Sequence, residues 1–319
     1  MKKVLLSGVK PTGRPHIGNY FGAMKQWVEF QVSQPDAEKF FMIADYHALN
    51  FIQNGEEMKQ NILDVVLDYL AIGIDPNKSV IFKQSDVSVH AELAWVFDTI
   101  TTMPYLMRGH AFKDAEVKSK DISVGTFNYP MLMAADILLY DATIVPVGQD
   151  QKQHIEYARD TAEKFNRIFA EETFILPEPL IIKDVAVVPG VDGQKMSKSH
   201  GNTIPLFATD EEIRKAVMSI VTNSTAGVPT NVYEIHKLFR SHVELDALYK
   251  EKAGKYKDLK EALIADISAF IKPLRDRREA LSKDKDSVLA ILKAGGEKAK
   301  AKANAKMEVV REKIGVRLY

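Results

Sequence analysis

The chain has 319 residues, no cysteine, and 43 basic against 43 acidic residues, for a net charge of zero. That length exceeds what one hydrophobic core comfortably serves, so two domains are expected; the missing thiols exclude disulfides, thiolate metal centres and a cysteine nucleophile. With 46% hydrophobic and 27% charged residues the composition is that of an ordinary folded chain. No apolar run is long enough for a signal peptide or a membrane span, so a cytoplasmic location is expected.

In chain order, residues 3–7 read as a strand, followed by a Gly/Pro-rich loop over 8–15 and a helical pattern over 17–30. Residues 40–44 read as a second buried strand, and 56–72 as a helix that Gly73 can cap. Residues 80–83 form a third strand and 89–100 a helix. After a long polar stretch, 129–140 reads as a helix, 143–147 as a strand and 151–165 as another helix. Strands alternating with helices imply a parallel sheet covered on both faces, with ligands at the carboxyl ends of the strands. Beyond about Leu206 the pattern is helical throughout, over 210–221, 231–239, 244–253, 259–281 and 286–294. Pro229 and the pair Gly295-Gly296 punctuate it, and a last helix over 297–314 can pack back on the first domain. From residue 293 to the end there are eight Lys or Arg against three Glu, which reads as a solvated helix face or a nucleic-acid contact.

Two segments carry chemistry. The first is the loop after strand one, Ser7-Gly8-Val9-Lys10-Pro11-Thr12-Gly13-Arg14-Pro15-His16-Ile17-Gly18-Asn19. Its glycines permit tight turns and close approach to a ligand. His16, Gly18 and Asn19 fall at the start of the next helix, whose free N–H groups and positive dipole end suit phosphate. The Gly-Lys-Ser/Thr ending of a Walker loop is missing, and the glycine spacing is not that of a dinucleotide fingerprint. His16 is a candidate donor to a phosphate oxygen that gains charge in a transition state; a tight turn with a surface histidine is the plainer reading of the loop alone. The second segment is Lys195-Met196-Ser197-Lys198-Ser199, between Asp192-Gly193-Gln194 and Gly201-Asn202. Two ammonium groups on a glycine-bounded loop can neutralise a leaving pyrophosphate as the loop closes, although a basic loop is often only solvated.

Taken together, the two segments resemble the paired signatures of class I aminoacyl-tRNA synthetases in sequence, order and separation. A third region, residues 129–140 with the following Val145-Pro146-Val147-Gly148-Gln149-Asp150-Gln151-Lys152-Gln153-His154, resembles the tryptophan branch of that family, as does Asp45-Tyr46-His47-Ala48-Leu49. The resemblance covers nearly the whole chain. It implies an α/β fold, with a Rossmann-like parallel-sheet catalytic domain over 1–205 and a smaller all-helical tRNA-binding domain over 206–319. It also implies a homodimer, with ATP, L-tryptophan and tRNA(Trp) as partners and Mg²⁺ carried in on ATP.

Carried over residue by residue, the resemblance makes His16, Lys195 and Lys198 catalytic. Lys10, Pro11, Thr12, Gly13, His16, Gly18 and Asn19 would hold ATP together with Gly148, Asp150, Met196, Ser197 and Ser199. Asp136 would accept the indole N–H and Met133 would pack on the ring. Tyr129 and Gln151 would hold the amino group, and Gly8, His47, Val145 and Val147 would line the pocket. Indole has one donor and no acceptor, so an apolar slot with a single carboxylate is a sensible selector; an aspartate that only caps or pairs is the plainer reading. The tyrosine-specific synthetases share fold and signatures, but their usual pattern has Gln where Met133 stands. Lys10 stands where Gln is frequent. Lys113 falls in a stretch resembling a pyrophosphate contact whose second lysine is here Ala115, so Lys118, Lys120 and Lys10 are candidates to compensate. A small-molecule nucleotidyltransferase and a non-catalytic RNA-binding protein are the readings from other classes.

Overall fold

Successive residues in the strand segments are apolar without alternation, so both faces of each strand need cover. The computed structural model, which describes residues 3–109, 112–113, 116, 122–147, 152–169, 172–181, 188–222 and 227–319, shows what supplies it. β1 (Val4–Val9), β2 (Glu38–Ile43), β3 (Val80–Lys83), β4 (Ile144–Val147) and β5 (Glu178–Ile181) form a parallel sheet in the order β3-β2-β1-β4-β5. β1 pairs with β2 from Val4 opposite Glu38 to Val9 opposite Ile43, and with β4 at Leu5 opposite Ile144.

α1 (Ile17–Asn19) runs through a π-helical turn at Tyr20–Met24 into α2 (Lys25–Ser33). α3 (Asp45–Ala48) and α4 (Gly55–Ile72) follow β2, while α5 (Val89–Ile100) and α6 (Met103–Leu106) follow β3. α7 (Val124–Leu138) precedes β4 and α8 (Lys152–Ile168) follows it. The last third holds α9 (Asp210–Met218), α10 (Thr230–His236), α11 (His242–Glu251), α12 (Tyr256–Ser282) and α13 (Lys285–Lys313). No helix among the described residues is long and apolar enough to cross a membrane.

The two sheet faces make two cores. Val4, Leu6, Phe40, Met42 and Phe82 meet Leu93 and Phe97 of α5, Met131 and Ala135 of α7, Ile155 of α8, and Ala299, Ala303 and Met307 of α13. Leu5, Phe41, Ile43 and Ile81 meet Trp27 of α2 and Val66 and Tyr69 of α4 on the other side. Ile213, Val232, Leu263 and Ile267 of the last third join this second core, so the late helices bury their apolar stripes against layers that the sheet already supports.

Three expectations need correction. β5 has no counterpart among the strands read from the sequence; with Pro179 inside it and Pro177 just before, it lies at the sheet edge, where a missing ladder donor is tolerated. The helix expected over 17–30 is interrupted by its π-helical turn. Gly295-Gly296 does not break the chain into two helices: α13 passes straight through both. A Cβ on Gly295 would lie 1.8 Å from the Ile81 carbonyl oxygen, and one on Gly296 would lie 2.8 Å from Asp86 Oδ2. The pair lets α13 lie against the backbone of β3.

Candidate active site

In an open parallel sheet the crevice lies at the carboxyl ends of the strands, where the strand order reverses. Here that point is between β1 and β4, and the first signature leaves β1 into it. Gly8, near the end of β1, is exposed. A Cβ there would meet the Met42 carbonyl oxygen at 2.3 Å, so close pairing of β1 with β2 requires glycine. Gly13 takes a positive φ of 89° in the loop.

His16 caps the helix that follows. Its Nδ1 accepts the Asn19 N–H at 3.2 Å, and Asn19 Oδ1 accepts the His16 N–H at 3.0 Å, a reciprocal capping box. An accepting Nδ1 puts the ring proton on Nε2, leaving it as a donor. Burial and the nearby Lys198 charge depress the His16 pKa from 6.5 to about 4, so the ring is neutral near pH 7.

The two signatures touch. Leu206 N–H donates to the Pro15 carbonyl at 2.9 Å and Ile17 N–H to the Ile204 carbonyl at 3.0 Å. Gly18 lies so close to the second motif that an added Cβ would sit 3.4 Å from Met196 Cβ. Met196 is buried and anchors the motif in the second core, while Lys195, Lys198 and Ser199 are exposed. Lys198 Nζ donates to the carbonyls of Thr12 at 3.1 Å and Gly13 at 2.7 Å. A residue from the second signature thus reaches across to the loop of the first. Buried Asn202 shapes the motif: its Oδ1 accepts the Ser197 N–H at 2.8 Å, and its amide donates to Asp192 Oδ1 and the Lys195 carbonyl. Gly190 packs against it, with a Cβ position 2.3 Å from the Asn202 side chain.

The second half of the site is built on α7. Tyr129, Met133 and Asp136 are spaced by four and three residues, which puts them on one helix face. Asp136 is buried among donors from the ends of the neighbouring strands. His47, on α3 just after β2, places Nε2 at 2.9 Å from Asp136 Oδ2. Gln84, just after β3, donates Nε2 to Asp136 Oδ1 at 2.8 Å. The Gln84 Oε1 accepts the N–H groups of Tyr46 at 3.1 Å and His47 at 3.4 Å, which fixes the amide's direction. His90 of α5 brings Nδ1 to 2.6 Å from Asp136 Oδ1, a close contact lying off the line of a straight hydrogen bond. Burial opposes the charge on Asp136, but His90 and His47 outweigh it and hold the carboxyl at about 2. Tyr129 lies 3.3 Å from His154 Nε2, and burial lifts its phenol to about 12, so it remains a neutral hydroxyl.

Thr12, Gly13, His16, Gly18 and Asn19 therefore join Met196 and Lys198 at one end of the crevice, with Lys195, Ser197 and Ser199 on the same motif. Gly8, expected in the tryptophan pocket, lies instead beside Met42 of β2, and Pro11 is buried in the loop between. Lys10 Nζ lies over the Phe51 ring, 4.6 Å from its centroid. His47, Tyr129, Met133 and Asp136 gather at the other end. Val145 is buried in the first core and Val147 ends β4. Gly148, Asp150 and Gln151 lie outside the described residues, as do Ala115, Lys118 and Lys120; Lys113 is exposed. Gln84 and His90 lie outside the motifs that the sequence singles out. Gln84 carried the fainter signal of a polar residue at a strand's carboxyl end, whereas His90, between Val89 and Leu93, looks like any core histidine.

The family of class I tRNA synthetases (W and Y) matches residues 2–271. A tryptophan–tRNA ligase of Fusobacterium nucleatum is 46% identical over 98% of this chain and 97% of its own length. One from Campylobacter jejuni is 43% identical over 98% and 99%. The crystal structure of the Campylobacter jejuni tryptophanyl-tRNA synthetase complexed with ADP and tryptophan superposes with a TM-score of 0.90 at 42% identity, covering 98% of this chain and 99% of that one. A tyrosyl-tRNA synthetase from Archaeoglobus fulgidus shares the fold at a TM-score of 0.65 and 20% identity, covering 87% and 90%. The chain belongs to the class I tRNA synthetases of the tryptophan and tyrosine family, in its tryptophan–tRNA ligase branch.

Proposed function

We propose that this ligase activates L-tryptophan with ATP and then esterifies the terminal ribose of tRNA(Trp). The observation that carries the choice of amino acid is Asp136, a buried carboxylate kept ionised three residues from Met133. An ionised acceptor beside a thioether suits a flat apolar ring with a single donor; a phenol O–H can donate to the carboxylate as well, so it is the apolar Met133 side of the slot that favours the larger indole ring. In the first step a tryptophan carboxylate oxygen attacks the α-phosphorus of ATP. The bond to the bridging oxygen breaks, and pyrophosphate leaves with its Mg²⁺, which enters as part of the nucleotide. In the second step a ribose hydroxyl attacks the acyl carbonyl and AMP departs. No protein nucleophile is needed. His16 donates from Nε2 to the phosphate, while Lys195 and Lys198 neutralise the departing charge. Lys198 must then leave the Thr12 and Gly13 carbonyls for phosphate oxygens.

The enzyme works as a cytoplasmic homodimer in this reading, a state supported by the large exposed side chains Trp95, Met103 and Met107 along α5 and α6. The test is exchange of labelled pyrophosphate into ATP without tRNA, followed by charging of tRNA. Exchange driven by tryptophan and not by tyrosine, with tryptophanyl-tRNA formed on adding tRNA(Trp), is the expected result. Exchange driven by tyrosine would overturn the reading of Met133 and Asp136, and adenylyl transfer to a small-molecule acceptor with no charging of added tRNA would point to a nucleotidyltransferase.

A further inference from the structure

Asp136 is surrounded by more donors than one substrate contact requires. A carboxylate offers roughly four acceptor positions. Gln84 Nε2 takes one on Oδ1 at 2.8 Å, and His90 Nδ1 lies 2.6 Å from the same oxygen, off the line of a straight hydrogen bond but close enough to keep another donor away from it. His47 Nε2 takes one on Oδ2 at 2.9 Å. The position left is on Oδ2. Carboxylates only accept, so the His90 ring proton facing Asp136 sits on Nδ1. Its Nε2 lies 2.9 Å from the Tyr140 hydroxyl, which can donate or accept and therefore serves either charge state of the ring. His90, Tyr140 and Gln84 are all fully buried. Tyr140 lies in the turn just after α7, four residues beyond Asp136, so the anchor and the carboxylate it serves come from one short stretch of chain.

We propose that His90, anchored by Tyr140, is a positioning residue that pins Asp136 Oδ1 and so reserves the open position on Oδ2 for the indole N–H. Discrimination against ring systems lacking that N–H then depends on two residues that do not line the crevice. This rests on the tryptophan reading of Asp136. A purely structural role is the competing account, since the His90 ring also packs 6.4 Å from Phe82 and 5.6 Å from Tyr140 between centroids. The two accounts separate in a variant that keeps a ring and loses the nitrogens.

The experiment measures pyrophosphate exchange with tryptophan and with 3-(benzothiophen-3-yl)alanine, whose sulfur replaces the indole N–H. In His90→Phe the KM for tryptophan rises roughly 10–100-fold, the KM for ATP stays within about threefold, and the preference for tryptophan over the sulfur analogue falls by the same factor as the tryptophan KM rises. His90→Asn, which restores a donor near the Nδ1 position, recovers most of the preference. Tyr140→Phe, which loses only the hydroxyl, shifts it in the same direction by less. A folded His90→Phe enzyme with undiminished preference overturns the proposal, as does His90→Asn performing no better than His90→Phe. If His90→Phe does not fold, as judged by its circular dichroism, an unchanged preference in Tyr140→Phe overturns it. Wild-type enzyme that shows no exchange with tryptophan overturns the underlying reading instead.

Discussion

His16 serves a phosphate only as a donor, and its surroundings make it one. The Asn19 N–H occupies Nδ1, and burial with the Lys198 charge keeps the ring from taking a second proton until about pH 4. An NMR titration of the His16 ring should therefore give a pKa of about 4, and a value near 6.5 would contradict the buried capping geometry. Because the folded value lies below the unfolded one, the unfolded chain binds the proton first, and this residue lowers stability as the pH falls from about 6.5 to about 4. Asp136 acts in the same sense at lower pH. Its stabilising share is complete above the ordinary value of 3.8 and is lost as the pH falls through about 2. Replacing His16 by Ala should lower the activation rate by roughly 10²–10³-fold with little change in tryptophan affinity, as single-turnover adenylate formation would show. Lys195→Ala should likewise slow activation and spare tryptophan binding, and equal loss of both would contradict its place at the leaving group.

At the scale of elements, α13 decides whether β3 sits correctly. With a Cβ position 1.8 Å from the Ile81 carbonyl, Gly295→Ala must push the helix off the strand and should cost roughly 2 kcal/mol or more. Gly55→Ala, near the start of α4 with nothing within 4 Å of the new Cβ, should be neutral or stabilising by about 0.5–1 kcal/mol. Urea denaturation midpoints check both, and a Gly295→Ala midpoint at or above wild type would contradict the close packing. The same helix shows how the C-terminal basic run is used. Lys302 pairs with Glu38, Lys306 with Asp141 at 2.6 Å, and Arg311 with Glu92, all on the first two-thirds of the chain. Those three cations fasten the helix, and their pairing could not be read from the charge count. Most strands and long helices were legible because burial imposes apolar periods on them. β5 was hidden by Pro179 and the preceding Pro177, the π-helical turn leaves no mark in those periods, and Gly295-Gly296 signals a close approach in the same letters that signal a break.

Across the whole molecule, both signatures and the α7 face were legible because their chemistry sits in contiguous motifs. Gln84 and His90 were not, since only the fold brings them from β3 and α5 to Asp136. The fold also leaves Trp95 70% exposed and Met103 66% exposed on the α5–α6 segment. Wild-type enzyme should sediment as a dimer and Trp95→Glu should shift it toward monomer; an unshifted dimer would place the interface elsewhere, and a wild-type monomer would contradict the dimer itself. The central claim is that Asp136 selects tryptophan through its indole N–H. A crystal structure with tryptophan bound tests it most directly. The indole nitrogen should lie roughly 2.7–3.2 Å from Asp136 Oδ2 with the ring against Met133, while an indole nitrogen turned to any other acceptor, or to none, would contradict the claim.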